Sequence, residues 1–234
     1  MEKKNYSYIG IAFIILVFGI IFIPKIVDKV SKGETTEKDR LHVVGKERNT
    51  KLSYLVTDGK KRSVPEFLFT NQDNLQISNL DFSGKVTVME FFFTSCPTIC
   101  PVMNNNMRLL DDEFHERDDF AIASFTIDPE VDTPKKLKEY AELYGVKSLN
   151  WHFLTGELDK IHALSNKGFN IFTGINPEVA GGFEHQGYFA LIDKNGFIRS
   201  RYNEQGSLMV YYQGTEPAEV EMLKQDIKNL LEEE

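Results

Sequence analysis

The stretch VTVMEFFFTSCPTICPVM, Val86 to Met103, holds both cysteines of the chain, Cys96 and Cys100. Val86 to Phe93 is a β-rich apolar run, and from Val88 onward only Glu90 interrupts it, the signature of a central strand covered on both faces. Thr94 and Ser95 end the run, and Cys96-Pro-Thr-Ile-Cys100-Pro leads into a helical pattern that extends to about His115. Pro101 suits the first turn of that helix, where a missing N–H costs no hydrogen bond. The two thiols are therefore predicted at a strand-to-helix junction. Unpaired N–H groups and the helix dipole there favour a thiolate. Their i, i+4 spacing brings them close enough to form a disulfide or to hold one metal ion together. A structural bridge is the plainer reading, but such a bridge gains most by closing a long loop, and this one would close a very short one.

The 234 residues suffice for one domain of ordinary size with an appendage, and 41% hydrophobic with 26% charged residues is a globular composition. A net charge of −8 excludes the dense basic patch that a nucleic-acid partner requires. Asn5 to Pro24 carry no charge. As a helix this segment spans roughly 30 Å, the thickness of the bilayer hydrocarbon. It ends in Phe-Ile-Pro-Lys with no small-x-small site behind it, and the first cysteine lies far downstream, so neither a cleaved signal peptide nor a lipidated cysteine fits. Residues 1–30 are read as an uncleaved single-pass anchor. Lysines flank both ends of the segment, so charge counting does not orient it. A reversible thiol pair places the long C-terminal part on the extracytoplasmic side. Residues 31–63, dense in Lys, Glu, Asp, Asn and Thr, are read as a solvated spacer, with Tyr54-Leu-Val a short edge strand at most. The folded domain is read as residues 64–234.

Beyond the cysteines, Phe120 to Ile127 is a second buried strand. Thr133-Pro134 starts a helix that Gly145 stops. Trp151 to Leu154 is a third strand, and Leu158 to about Lys167 another helix closed by Gly168. Asn170 to Gln186 is strand-poor, and its Gly-containing part, Asn170 to Gly182, reads as a loop that is mobile without metal. Tyr188 to Ile192 and Phe197 to Tyr202 flank Asp193-Lys-Asn-Gly196, a hairpin signal. Pro217 to Leu231 is a last amphipathic helix. This order describes an α/β mixed sheet with helices on both faces, and the cysteine pair between the first central strand and its helix makes it thioredoxin-like.

FFFTSCPTICPVM, SFTIDPEVDTPKKLKEYAELYG, WHFLTG, the lone His185 ahead of FALIDKNG, and YYQGTEPAEVEMLKQDI together resemble the Sco (SenC) family of membrane-anchored copper chaperones, in order and over roughly Val64 to Leu231. The resemblance implies a thioredoxin-like fold and copper held by Cys96, Cys100 and His185. It also implies a role in assembling the copper centre of cytochrome c oxidase, with the copper-accepting subunit as recipient and a thiol reductant or upstream copper donor as further partner. The donor set agrees with the metal: thiolates suit Cu(I), and an added imidazole makes Cu(II) tolerable. Structural zinc takes four protein ligands, and no third cysteine accompanies these.

The remaining histidines read as ordinary: His42 in the spacer, His115 near a helix C-terminus, His162 within a helix, His152 packed beside Trp151. Where thioredoxins carry a proline, this chain has Gln186-Gly187. Asp128 could lie near the site, but a turn explains Asp-Pro equally well. The rival to a metallochaperone is a thiol–disulfide oxidoreductase in which Cys96 or Cys100 attacks the recipient's disulfide. A peroxide-reducing or redox-sensing relative is a third reading. No Arg-rich, acid-poor presequence is present, so the expected location is a bacterial inner membrane.

Deleting residues through Lys32 should move the protein from the membrane fraction to the soluble fraction. A full-length chain that already fractionates as soluble would remove the anchor from this reading.

Overall fold

The structure is a computed structural model and describes residues 15–24, 52–203 and 206–233, with residues 10 and 12. In chain order the strands that build the domain are β1 (Ser53–Tyr54), β2 (Leu68–Asn71), β3 (Gln76–Ser78), β4 (Val86–Phe92), β5 (Phe120–Thr126), β6 (Trp151–Thr155), β7 (Thr173–Ile175), β8 (Phe183–His185), β9 (Tyr188–Ile192) and β10 (Ile198–Tyr202). The accompanying helices are α1 (Cys100–Phe114), α2 (Pro134–Tyr144), α3 (Leu158–Ala163) and α4 (Pro217–Glu232). The sheet runs β1-β10-β9-β4-β5-β6-β2-β3. Its centre, β4-β5-β6, is parallel, and the outer strands pair antiparallel. β4 and β5 match from Val86↔Phe120 to Phe92↔Thr126, and every residue of both is buried. Strands covered on both faces must be apolar nearly throughout, which is why their sequences show no alternation.

The local signals hold where they are strongest. Thr133 Oγ1 accepts the Lys136 N–H at 3.3 Å and Pro134 opens α2, while Gly145 ends it at φ 65°. The Asp193 carboxylate accepts the Asn195 and Phe197 N–H groups at 3.0 and 2.9 Å and closes the β9–β10 hairpin.

Two elements depart from the sequence reading. The sheet starts before the spacer boundary drawn at Ser63: β1 pairs Ser53↔Ser200 with β10, and Leu52 and Leu55 are buried. The cause lies far downstream. The buried Arg199 guanidinium meets Asp193 at 3.2 Å and Glu233 at 2.8 Å and donates to the Leu52 carbonyl at 2.7 Å, so a C-terminal charge cluster draws in a segment whose own composition is polar. The second departure is Asn170 to Gln186, which forms the β7–β8 hairpin rather than a loop.

Residues 15–24 are helical, and Ile15, Phe18, Ile20 and Ile23 are exposed. Among the described residues no helix is long and apolar enough to cross a membrane. Most of the remainder of the predicted anchor lies outside the described residues, as does the spacer up to residue 51.

Glu90 is fully buried in β4. Trp151 Nε1–H donates to Ser124 Oγ at 3.0 Å, and Ser124 donates to Glu90 Oε1 at 2.7 Å, while Oε2 has no partner among the described residues. Burial pushes this carboxyl up to about 7 despite the Ser124 hydrogen bond. Between the ordinary glutamate range and that value the folded chain holds a proton that the unfolded chain has released. Stability therefore falls as pH rises through this window. Urea midpoints measured from pH 5 to 8 should decline in the wild type and stay nearly flat in Glu90→Gln, and parallel profiles would contradict a protonated Glu90.

Candidate metal centre

β4 delivers the chain to the site and Asp132 turns it. The Ile127 N–H donates to the Phe92 carbonyl at 2.8 Å, extending the β4–β5 ladder to its end. The fully buried Asp132 carboxylate then accepts the Thr94 N–H at 3.0 Å, the Thr94 hydroxyl, and the Thr126 hydroxyl at 2.5 Å. These bonds fix the start of the Thr94-Ser95-Cys96 turn. Cys96 lies outside the helix, and Cys100 is the first residue of α1. Their proximity therefore comes from the turn, not from helical spacing. The buried Asn104 amide donates to the Cys100 carbonyl at 3.0 Å inside the first turn of the helix.

His185 arrives from the other side, at the end of β8. The hairpin pairs Phe183↔Ile175, Glu184↔Gly174 and His185↔Thr173, and the Asn176 N–H donates to the Gly182 carbonyl at 2.9 Å across its turn. Gly181, at φ +91°, lets that turn lie on the cysteine loop: a Cβ there would stand 2.8 Å from the Phe93 ring and 3.3 Å from Pro97. Phe183 packs against Phe93 at 5.5 Å between centroids. The hairpin thus seats directly on the residues flanking Cys96.

His185 Nε2 lies 3.3 Å from Cys100 Sγ and 3.9 Å from Cys96 Sγ. The three donor atoms fall within 4.8 Å of one another, and both cysteines are free thiols. Two sulfurs and an imidazole nitrogen that converge at this distance, two of the residues buried, suit a thiophilic cation. Among the described residues no other group of three histidine, cysteine or carboxylate side chains converges in this way.

A family model described as SCO1/SenC matches residues 56–216. The chain belongs to the SCO1/SenC family. A SCO1 protein homolog of Bacillus subtilis is 36% identical over 63% of this chain and 77% of its own length. A putative copper-binding protein of Stutzerimonas stutzeri is 28% identical over 60% and 69%. Among solved structures, a SCO1/SenC family lipoprotein from Bacillus anthracis superposes with a TM-score of 0.63 at 34% identity, covering 73% of this chain and 96% of that one. BsSco, described as a member of the Sco family of cytochrome c oxidase assembly proteins, superposes at 0.61 with 31% identity over 74% and 95%.

Within this SCO1/SenC chain the two thiols differ in charge. The Cys96 thiol is lowered to about 3, chiefly because Cys100 donates a hydrogen bond to its sulfur; His185 and Thr98 add to the effect and burial opposes it. Cys100 is raised by the same shared hydrogen bond, by burial and by the Cys96 charge. A proton held between them sits on Cys100, leaving the more exposed sulfur anionic.

Three supporting residues escape the sequence reading. Asp132, not Asp128, reaches the cysteine turn. The Asp128 N–H donates to Thr126 Oγ1 at 3.1 Å and its carbonyl accepts the Asp132 N–H at 2.9 Å, both of which shape the turn itself. Glu90, whose charge helps raise the Cys100 thiol, and Asn166, whose amide bonds both backbone groups of Thr173 opposite His185, also go unsignalled as site residues, since neither a buried acid nor a backbone-binding amide carries a local pattern. Histidines 115, 152 and 162 all lie outside the cluster: the His115 ring stands 3.2 Å from the Asp111 and Asp112 carbonyls, and His152 meets Asn71 at 3.3 Å.

The charge asymmetry is testable by timed alkylation of the reduced protein. Cys96 should be labelled before Cys100, and its rate should hold nearly constant from neutral pH down to about pH 4, whereas an ordinary thiol slows about tenfold for each unit below its pKa. Labelling of Cys100 first would contradict the assignment.

Proposed function

We propose that this chain is a membrane-anchored copper metallochaperone with an extracytoplasmic thioredoxin-like domain, and that Cys96, Cys100 and His185 hold its Cu(I) or Cu(II) cargo. The observation that carries the reading is the convergence of two sulfurs and one imidazole nitrogen within 4.8 Å. Thiolates provide the soft donors that Cu(I) prefers, and the nitrogen keeps Cu(II) within reach. Copper binding requires both cysteines as thiolates, so the cation displaces the proton resting on Cys100. The recipient is the copper-accepting subunit of cytochrome c oxidase. Support comes from membership of the SCO1/SenC family and from the likeness to BsSco, a member of the Sco family of cytochrome c oxidase assembly proteins. A thiol reductant or an upstream copper donor completes the partners. The anchor rests on the uncharged Asn5–Pro24 segment and the exposed apolar side chains of residues 15–24. The reversible thiol pair favours the outer face of a bacterial inner membrane for the domain.

One observation favours a second reading, a thiol–disulfide oxidoreductase acting on the recipient's cysteines. Cys96 has the low thiol pKa of an attacking group, and Cys100 stands ready to resolve the mixed disulfide. His185 separates the two, since copper binding uses it and thiol exchange does not.

The reduced full-length chain in detergent should bind a single copper ion. Cys96→Ser and Cys100→Ser should abolish tight binding, and His185→Ala should weaken it and shift the copper absorption bands. A His185→Ala chain that still restores oxidase assembly in a deletion strain would decide for the reductase.

A further inference from the structure

His185 poses a problem of orientation. Its Nε2 faces both sulfurs, yet its Nδ1 is buried and meets no hydrogen-bond partner among the described residues. A metal-binding histidine ordinarily donates its second N–H to a carboxylate or carbonyl, which fixes both ring and tautomer. Here a defined contact on the ring is apolar, Phe93 edge-to-face at 5.7 Å between centroids. The placement of the imidazole must therefore come from the backbone that carries it.

That backbone is β8, three residues long and paired with the three residues of β7. A two-stranded ladder of this size is not stable by itself. Asn166 supplies what is missing. Its Oδ1 accepts the Thr173 N–H at 3.0 Å, and its Nδ2 donates to the Thr173 carbonyl at 2.9 Å. One amide thus satisfies both outward backbone groups of the residue directly opposite His185, as a third strand would. Because those groups point to Asn166, Thr173 and His185 form the non-hydrogen-bonded kind of antiparallel pair, in which side chains stand closest. A shift of Thr173 is passed straight to the imidazole.

The position of Asn166 follows from an uncommon local geometry. After α3 the chain widens into a π-helical turn, Leu164–Phe169, and reverses at Asn170 with φ 56°. Ser165 Oγ donates to the Ile171 carbonyl at 2.6 Å, and the Ile171 N–H returns to the Ser165 carbonyl at 3.1 Å. The turn thereby lays the Asn166 amide along β7. On the other side of the ladder Gln186 accepts the Phe172 N–H at 2.9 Å, so β7 is held before and at the residue that faces the ligand.

We propose that Asn166 is a positioning residue for the metal centre, setting the place of the His185 imidazole over Cys96 and Cys100 through Thr173 without touching the metal. The inference rests on the copper-binding reading. Its consequence is selective: loss of the amide loosens the nitrogen ligand and leaves the sulfur pair, which belongs to a different part of the chain.

The test uses the full-length chain in detergent loaded with Cu(II). Nitrogen hyperfine structure in the paramagnetic spectrum reports His185, the thiolate-to-copper absorption reports the cysteines, and transfer to a competing chelator reports retention. Asn166→Ala should keep the thiolate band, lose most of the nitrogen signal, and release copper about tenfold faster, the scale typical of residues that orient metal ligands. Asn166→Asp, which keeps the acceptor for the Thr173 N–H and loses the donor, should fall between; were Asn166→Ala to misfold, it carries the comparison. In a His185→Ala background neither substitution should change release further. A wild-type nitrogen signal in both Asn166 variants, or an equal acceleration with and without His185, overturns the positioning role. Absence of that signal from the unsubstituted chain would overturn the three-ligand reading, an outcome seen before any Asn166 variant is made.

Discussion

The 3.3 Å contact between the Cys100 sulfur and the His185 imidazole joins groups 85 positions apart in the chain, with no hydrogen bond from the described residues on the second ring nitrogen to help it. Both ends must therefore be fixed by their own surroundings. At the cysteine end, the fully buried parallel pair β4–β5 stops where Asp132 captures Thr94 and Thr126 together, so the turn starts from a rigid edge. At the histidine end, an amide clamps β7, and a glycine lets the hairpin turn sit on Phe93 and Pro97. A substituent at Gly181 would meet the Phe93 ring at 2.8 Å and lift the hairpin from the thiols.

The interior beneath the site disfavours negative charge. Glu90 is raised to about 7 by burial, Cys100 is raised by its shared hydrogen bond and burial, and burial also raises the neighbouring Tyr140 phenol. Charge accordingly gathers on Cys96, the thiol nearer solvent. A cation entering from outside meets an anionic sulfur first, and its own charge then offsets the cost of ionising the deeper one. The same gradient serves disulfide exchange, where the outer thiolate attacks and the inner thiol is spared. One electrostatic arrangement thus supports both chemistries, and the His185 imidazole is a group that metal binding would use and thiol exchange would not.

Much of this was legible because the decisive signals are local. An uninterrupted apolar run followed by Cys-Pro-Thr-Ile-Cys-Pro declares a central strand and a helix start; Thr133-Pro134 and Gly145 bracket α2 by capping chemistry alone; Asp193-Lys-Asn-Gly196 declares a hairpin. What stayed hidden depends on partners distant in sequence. β1 shows in the sequence only as a short edge strand at Tyr54-Leu-Val inside a polar spacer, because its partner strand and the Arg199 that holds Leu52 lie about 147 positions downstream. The β7–β8 hairpin looks like a loop because its strands are three residues long and its order comes from a side-chain amide. Asp132 and Asp128 are indistinguishable as letters and both are buried; only the fold shows that the Asp132 carboxylate is the one bonded to the cysteine turn.

The hairpin changes the account of how such a site would hold and release a metal. A mobile loop would have to lose conformational freedom each time the site closed, and that entropy would weaken binding. A hairpin already seated at 3.3 and 3.9 Å from the sulfurs would spare that cost, with the imidazole nitrogen in place beforehand. Its supports are nevertheless separate from those of the cysteines: Asp132 and the central sheet hold the sulfur pair, while Asn166 and Gln186 hold the strand facing His185. The two halves meet by packing rather than by a shared ladder, since the hairpin turn rests on Phe93 and Pro97 beside Cys96.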